Sequence, residues 1–150
     1  LVEDMSDAGN HKDVLAESWS LQKTLFNKGK YVDCLFVLER QVQAAKAIHC
    51  GDHQDVASSL MEIANLYRIL GNLDEALANH EESLQMKLKV FGQDHPAVAA
   101  SYCNIGVVYK RLGKLDKALE CYNQDLAIVE KIFGQDDPRL ADSLMGIANV

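Results

Sequence analysis

Apolar residues recur along this chain at the i, i+3, i+4, i+7 spacing that builds one face of a helix. Val56, Leu60, Ile63, Ala64, Tyr67 and Leu70 share such a face over about 55–70. Val98, Tyr102, Ile105, Gly106 and Tyr109 share another over about 96–112. Between them, a helix over about 73–90 carries Leu73, Ala76, Leu77, Leu84, Leu88 and Val90. Leu115, Ala118, Leu119, Tyr122, Leu126 and Ile128 restate that pattern further along. The first block is looser, with Leu21, Leu25, Tyr31, Cys34, Leu38 and Val42. A last block begins at Pro138 and carries Leu140, Leu144, Ile147 and Ala148. No stretch shows the alternation of a strand, so the pattern predicts an all-α fold.

The polar stretches between these blocks repeat as well. Phe91-Gly-Gln-Asp-His-Pro96 returns as Phe133-Gly-Gln-Asp-Asp-Pro138, a step of 42 residues. Gly51-Asp-His-Gln-Asp-Val56 and Gly9-Asn-His-Lys-Asp-Val14 hold the same register, as do Gly29, Gly71 and Gly113. A fixed period of this size marks a repeat array, in which each unit buries its apolar face against its neighbours. Each period reads as helix A, glycine turn, helix B and connector, giving repeats over about 9–50, 51–92 and 93–134 and a partial one over 135–150. Glycine suits the left-handed residue that closes helix A. Pro96 sits at a first helical position, where its missing N–H costs no hydrogen bond. Lys12 and Gln54 replace the proline in the first two connectors, so those helix starts are expected to be less fixed. The chain begins without Met and stops inside a periodic segment. It reads as one array, 1–150, cut from a longer protein, and the truncated last helix A is expected to fray or leave an apolar face exposed.

Composition narrows the picture. With 48 % hydrophobic and 25 % charged residues the chain is that of a folded protein. A net charge of −7 argues against a nucleic-acid footprint, which is basic. No apolar run approaches the roughly 18–20 residues of a membrane span, and the acidic first residues make no secretory signal. Cys34, Cys50, Cys103 and Cys121 do not recur at one repeat position. Most fall in predicted helices as small apolar residues, which favours a reducing, cytoplasmic setting.

The segments Tyr67-x-x-x-Gly71-x-Leu73-x-x-Ala76 and Tyr109-x-x-x-Gly113-x-Leu115-x-x-Ala118 resemble the tetratricopeptide repeat core. The usual period of that family is 34 residues. The longer period, with Phe-Gly-x-Asp-His-Pro-x-Val-Ala between repeats, is similar to the kinesin-light-chain subtype. The resemblance covers about 9–150 and implies a superhelical solenoid of antiparallel helix pairs. Where the family places a small residue in mid-helix B, this chain has Gln41, Ser83 and Asp125. A buried unpaired polar group costs roughly 1–3 kcal/mol, so these are expected to be paired or partly exposed.

Catalytic and metal patterns are absent or incomplete. Ser20-Leu-Gln-Lys23 fits a Ser-x-x-Lys pattern inside a predicted helix with no companion motif. His49-Cys50-x-x-His53 offers three candidate ligands and no second cluster. His11, His53 and His95, with Asp137 in the fourth place, recur just ahead of a helix, where they are expected to cap it. The expectation is a non-enzymatic chain with no catalytic residues, metal or cofactor.

In tetratricopeptide arrays helix A lines a concave surface, and the resemblance implies the same here. The groove candidates are Trp19, Lys23, Met61, Asn65, Arg68, Cys103, Asn104, Val107, Lys110 and Arg111. Lys23, Arg68, Lys110 and Arg111 are basic in an acidic chain, and the two asparagines can each donate to and accept from a peptide backbone. The cations could otherwise be paired with neighbours such as Glu62. The chaperone-binding carboxylate clamp needs lysines where this chain has Met61 and Ala100. The single tryptophan, Trp19, either packs at the amino-terminal end or anchors a partner. The reading is a scaffold or adaptor that binds a peptide or partner helix, acidic in character, in the groove; motor-cargo or cytoskeletal work is one version. The alternatives are a regulatory arm of a larger signalling enzyme or NTPase, and a structural array in a large assembly. Partner identity and oligomeric state are not encoded in any motif.

Overall fold

The computed structural model describes residues 21–48 and 53–150. Trp19, His11, Lys12, Ser20, His49, Cys50 and the first two connector glycines, Gly9 and Gly51, lie outside the described residues.

Among the described residues the regular structure is helical. Residues 21–27 belong to α1. They are followed by α2 (Tyr31–Ile48), α3 (Gln54–Leu70), α4 (Leu73–Phe91), α5 (Pro96–Arg111), α6 (Leu115–Phe133) and α7 (Arg139–Ala148). Each helix from α2 onward packs on the next, and α7 also reaches α5. The chain reverses in the short turns, so α3/α4 and α5/α6 form antiparallel pairs stacked as an all-α solenoid.

The connectors place these helices through specific hydrogen bonds. His53 Nδ1 accepts from Asp55 N at 3.2 Å, and His95 Nδ1 accepts from Ala97 N at 3.1 Å. Asp137 Oδ1 accepts from Arg139 N at 2.9 Å, so the fourth connector caps its helix with a carboxylate. The cap holds α3 at Gln54 although proline is absent there. Gly71 closes α3 at φ 87°, in the left-handed region. Gly92 ends α4 at φ 78° and ψ 178°, a combination essentially reserved for glycine, and there the chain turns toward His95.

Tyr67 Oη donates to Glu39 at 3.5 Å, and one period later Tyr109 Oη donates to Glu81 at 3.1 Å. Helix A of one repeat is thus tied to helix B of the repeat before it.

The apolar core forms two clusters. One joins α2 and α3 through Cys34, Leu38, Val42, Val56, Leu60, Ile63 and Leu66. The other joins α4, α5, α6 and α7 through Leu84, Val98, Ile105, Ile128, Val129 and Leu140. Fully burying such a side chain contributes roughly 1.5–3 kcal/mol. Between the clusters runs a polar stripe on α4, where His80, Ser83 and Lys87 are all buried. The hydrophobic pattern on this helix had pointed to Val90 instead, which is exposed. Leu70 and Leu115 are exposed too, because helix-end positions project past the overlap with neighbouring helices. Leu21 and Leu144 also stand out from the core, and no described helix covers Leu144.

Gln41, Ser83 and Asp125 are all buried, so partial exposure is not how they are accommodated. Ser83 Oγ donates to Ala57 O at 2.6 Å, and Ser143 Oγ donates to Asp125 Oδ2 at 2.7 Å. Among the described residues Gln41 Nε2 has no partner.

Candidate functional site

An open cavity of about 520 Å³ lies where α1, α2 and α3 meet. Lys23, Asn65 and Arg68 surround it, with Phe26, Leu66 and Ile69 supplying apolar surface. The spacing explains the grouping: Glu62, Asn65, Leu66 and Ile69 stand at i, i+3, i+4 and i+7 along α3, and Lys23 and Phe26 are three apart on α1. Three of the expected groove residues are therefore brought together. Glu62, the acidic neighbour that could have neutralised them, instead accepts from Gln22 Nε2. Among the described residues, Lys23, Arg68, Lys110 and Arg111 enter no ion pair.

Arg111 Nη1 donates to Arg68 O at 2.9 Å. This bond ties the end of α5 to the last turn of α3, where the carbonyls carry partial negative charge and favour a cation. Asn104, Val107 and Lys110 are half-buried along α5. Cys103 lies apart from the cationic set. Burial pushes its thiol up, and the charges of Asp125 on α6 and Asp142 on α7 add to that effect.

Met61 belongs to a second open cavity, of about 400 Å³, bounded by α3, the end of α4 and the start of α5. Gln54, Ser58, Met61, Phe91, His95, Ala97 and Ala100 line it, together with Lys87. Phe91 and His95 stack with ring centroids 4.2 Å apart and form one wall. Lys87 is only 4 % exposed. Its Nζ donates to Ser101 Oγ at 2.8 Å and contacts Met61 Sδ at 3.4 Å. Burial lowers its pKa. His80, two turns earlier, is 1 % exposed, with Nε2 unpartnered among the described residues. Burial first, then the charges of Lys87 and Arg68, lower its pKa to about 4.

Neither residue belonged to the expected groove set. A signal existed: Lys87 stands in the column that holds Ala45 and Val129 in the flanking repeats, and His80 in the column of Leu38 and Tyr122. Two polar residues in otherwise apolar columns mark the second repeat as different.

Among the described residues no three His, Cys, Asp or Glu side chains are placed to hold a metal ion, and no helix is long and apolar enough to cross a membrane. Cys34, Cys103 and Cys121 are free thiols, and burial pushes that of Cys121 up to about 11, with nearby Glu120 and Glu81 adding to the shift.

A family model described as the tetratricopeptide repeat matches residues 23–87 and 55–131. A Podosopora anserina protein assigned as a kinesin light chain, with nearly identical TPR-like repeats, superposes with a TM-score of 0.77 at 23 % identity, covering 90 % of this chain and 64 % of that one. BtubC (BKLC) from P. vanneervenii superposes with a TM-score of 0.74 at 16 % identity, covering 93 % of this chain and 62 % of its own. PcrH in complex with the chaperone binding region of PopB gives 0.66 at 18 % identity, covering 92 % and 95 %. The chain thus spans less than two thirds of the length of the first two structures. No curated protein sequence matches it.

Proposed function

Since the chain belongs to the tetratricopeptide repeat family, we propose that it is a non-catalytic interaction array whose helix-A face binds a peptide or helix of a partner protein carrying acidic residues. The observation that carries this reading is the cavity between α1 and α3. It sets Lys23, Arg68 and Asn65, with Glu62, around Phe26, Leu66 and Ile69, and among the described residues no carboxylate forms an ion pair with either cation. An apolar floor with a few polar groups at its edge suits a partner side chain and the backbone beside it. A charge-assisted bond to the partner's carboxylate supplies specificity. The PcrH structure supports the mode, since that protein holds a segment of PopB on the same fold. Adaptor work in the cytoplasm, including motor-cargo or cytoskeletal attachment, is the setting we propose.

The test is titration of labelled acidic peptides against the wild type, Arg68→Glu and Lys110→Glu. Charge reversal is expected to weaken binding about tenfold or more and to flatten its salt dependence. Affinity and salt dependence equal to wild type in both variants would overturn the reading.

A further inference from the structure

Lys87 presents a buried cation that the described protein leaves without a counter-charge. An ammonium group offers three N–H donors. One is taken by Ser101 Oγ, whose own hydrogen goes to Ala97 O at 3.0 Å. A second faces the weakly accepting Met61 sulfur. Among the described residues no acceptor takes the third, and no carboxylate forms an ion pair with Lys87. Taking a charge out of water costs several kcal/mol unless an opposite charge returns it. The flanking repeats avoid that cost with Ala45 and Val129 at the same place.

The surroundings reinforce the sign of the site. The cavity that Lys87 lines is bordered by the first turns of α3, at Gln54, and of α5, at Ala97, with Ser58 and Ala100 one turn further in. Helix amino termini carry partial positive charge and favour anions. Met61, the two alanines and the Phe91–His95 stack make the remaining walls largely apolar, which strengthens any charge pairing inside. A lone solvated ion gains little from such walls, whereas an acidic side chain delivered by a polypeptide fits both the walls and the charge.

We propose that the cavity over Lys87 receives an aspartate or glutamate side chain from the partner segment bound along the helix-A face. The carboxylate supplies the missing counter-charge, and Gln54 and Ser58 offer hydrogen-bonding groups at the rim. This deepens the proposed function and rests on it: Met61 and Ser58 are helix-A residues, so the pocket is a second contact point on the face that also holds Lys23, Asn65 and Arg68. It makes the acid at one position of the partner a requirement, where the rim cations alone confer only a general preference.

The probe is a display library of short random peptides panned against the wild-type chain, with recovered peptides remade in Glu and Gln forms. Enrichment of Asp or Glu at one fixed position is expected. The Glu→Gln change is expected to weaken wild-type binding about tenfold or more, the scale of a charge-assisted bond. Lys87→Met and Lys87→Val, the latter copying Val129, are expected to bind the Glu and Gln forms alike. In lysine-methylated protein carrying a carbon-13 label, the Lys87 pKa is expected to rise on adding the Glu peptide and to stay put with the Gln form. A Glu preference that persists in both folded Lys87 variants, or a Lys87 resonance indifferent to the Glu peptide, would overturn the pocket and leave the groove reading standing. If the folded wild type recovers no peptide, the groove reading and the pocket fall together.

Discussion

At the scale of single residues, His80 makes the fold sensitive to mild acid. In the folded chain its pKa is about 4, against an ordinary 6.5, because burial and the nearby Lys87 and Arg68 charges disfavour the protonated ring. A lowered pKa means that the folded state holds the neutral imidazole. Its contribution to stability is whole above 6.5 and is lost as pH falls from there toward 4. Between about pH 7.5 and about pH 5 that loss is about 2 kcal/mol. His80→Leu, which installs the residue of the preceding repeat, is expected to remove that part of the acid sensitivity. Thermal unfolding of both proteins at the two pH values checks it, since every other titrating group is common to the pair. Asp125 shifts the opposite way, raised mainly by burial, and cancels in the comparison.

Between elements, one aromatic ring sets how closely helices approach. Tyr122, 2 % exposed on α6, lies between two glycines of neighbouring A helices. A Cβ at Gly106 of α5 would come within 2.8 Å of its Cε1, and one at Gly146 of α7 within 2.9 Å of its Cδ1. Gly106→Ala is expected to lower stability by about 1–3 kcal/mol, as overpacking does. Adding Tyr122→Leu should recover part of that loss, which a denaturant-unfolding cycle over the four proteins would reveal. The helix limits and caps were legible beforehand because His53, His95 and Asp137 occupy one register position and cap through local geometry. The role of α4 was not legible in the same way. A search for apolar periodicity passes over His80, Ser83 and Lys87, and their burial is decided by which neighbours flank the helix. The grouping of Lys23 with Arg68, but not with Cys103, likewise depends on how successive A helices are rotated, which no single-helix pattern contains.

For the molecule as a whole, the packing differs from one repeat boundary to the next. The boundary between α2 and α3 centres on an apolar cluster with the Tyr67–Glu39 bond at its edge, that between α4 and α5 carries the Lys87–Ser101 bond, and that between α6 and α7 carries the Asp125–Ser143 bond. Exchanging Lys87 and Val129 keeps length and composition constant yet moves the ammonium into the apolar cluster that contains Ile128 and Leu140. The exchanged protein is expected to lose several kcal/mol on the scale of a buried, unpaired charge, measurable as a lower denaturation midpoint. The dissimilar boundaries also bear on how the chain assembles. Units built to one pattern at one interval risk docking on the wrong neighbour during folding, a known failure of repeat proteins. Lys87 stands where the flanking repeats have Ala45 and Val129, so only its boundary must take in a buried ammonium, and the boundaries are not interchangeable in energy. The polar seam through the middle of the core thus gives the array a direction in sequence that its repeating outline does not have.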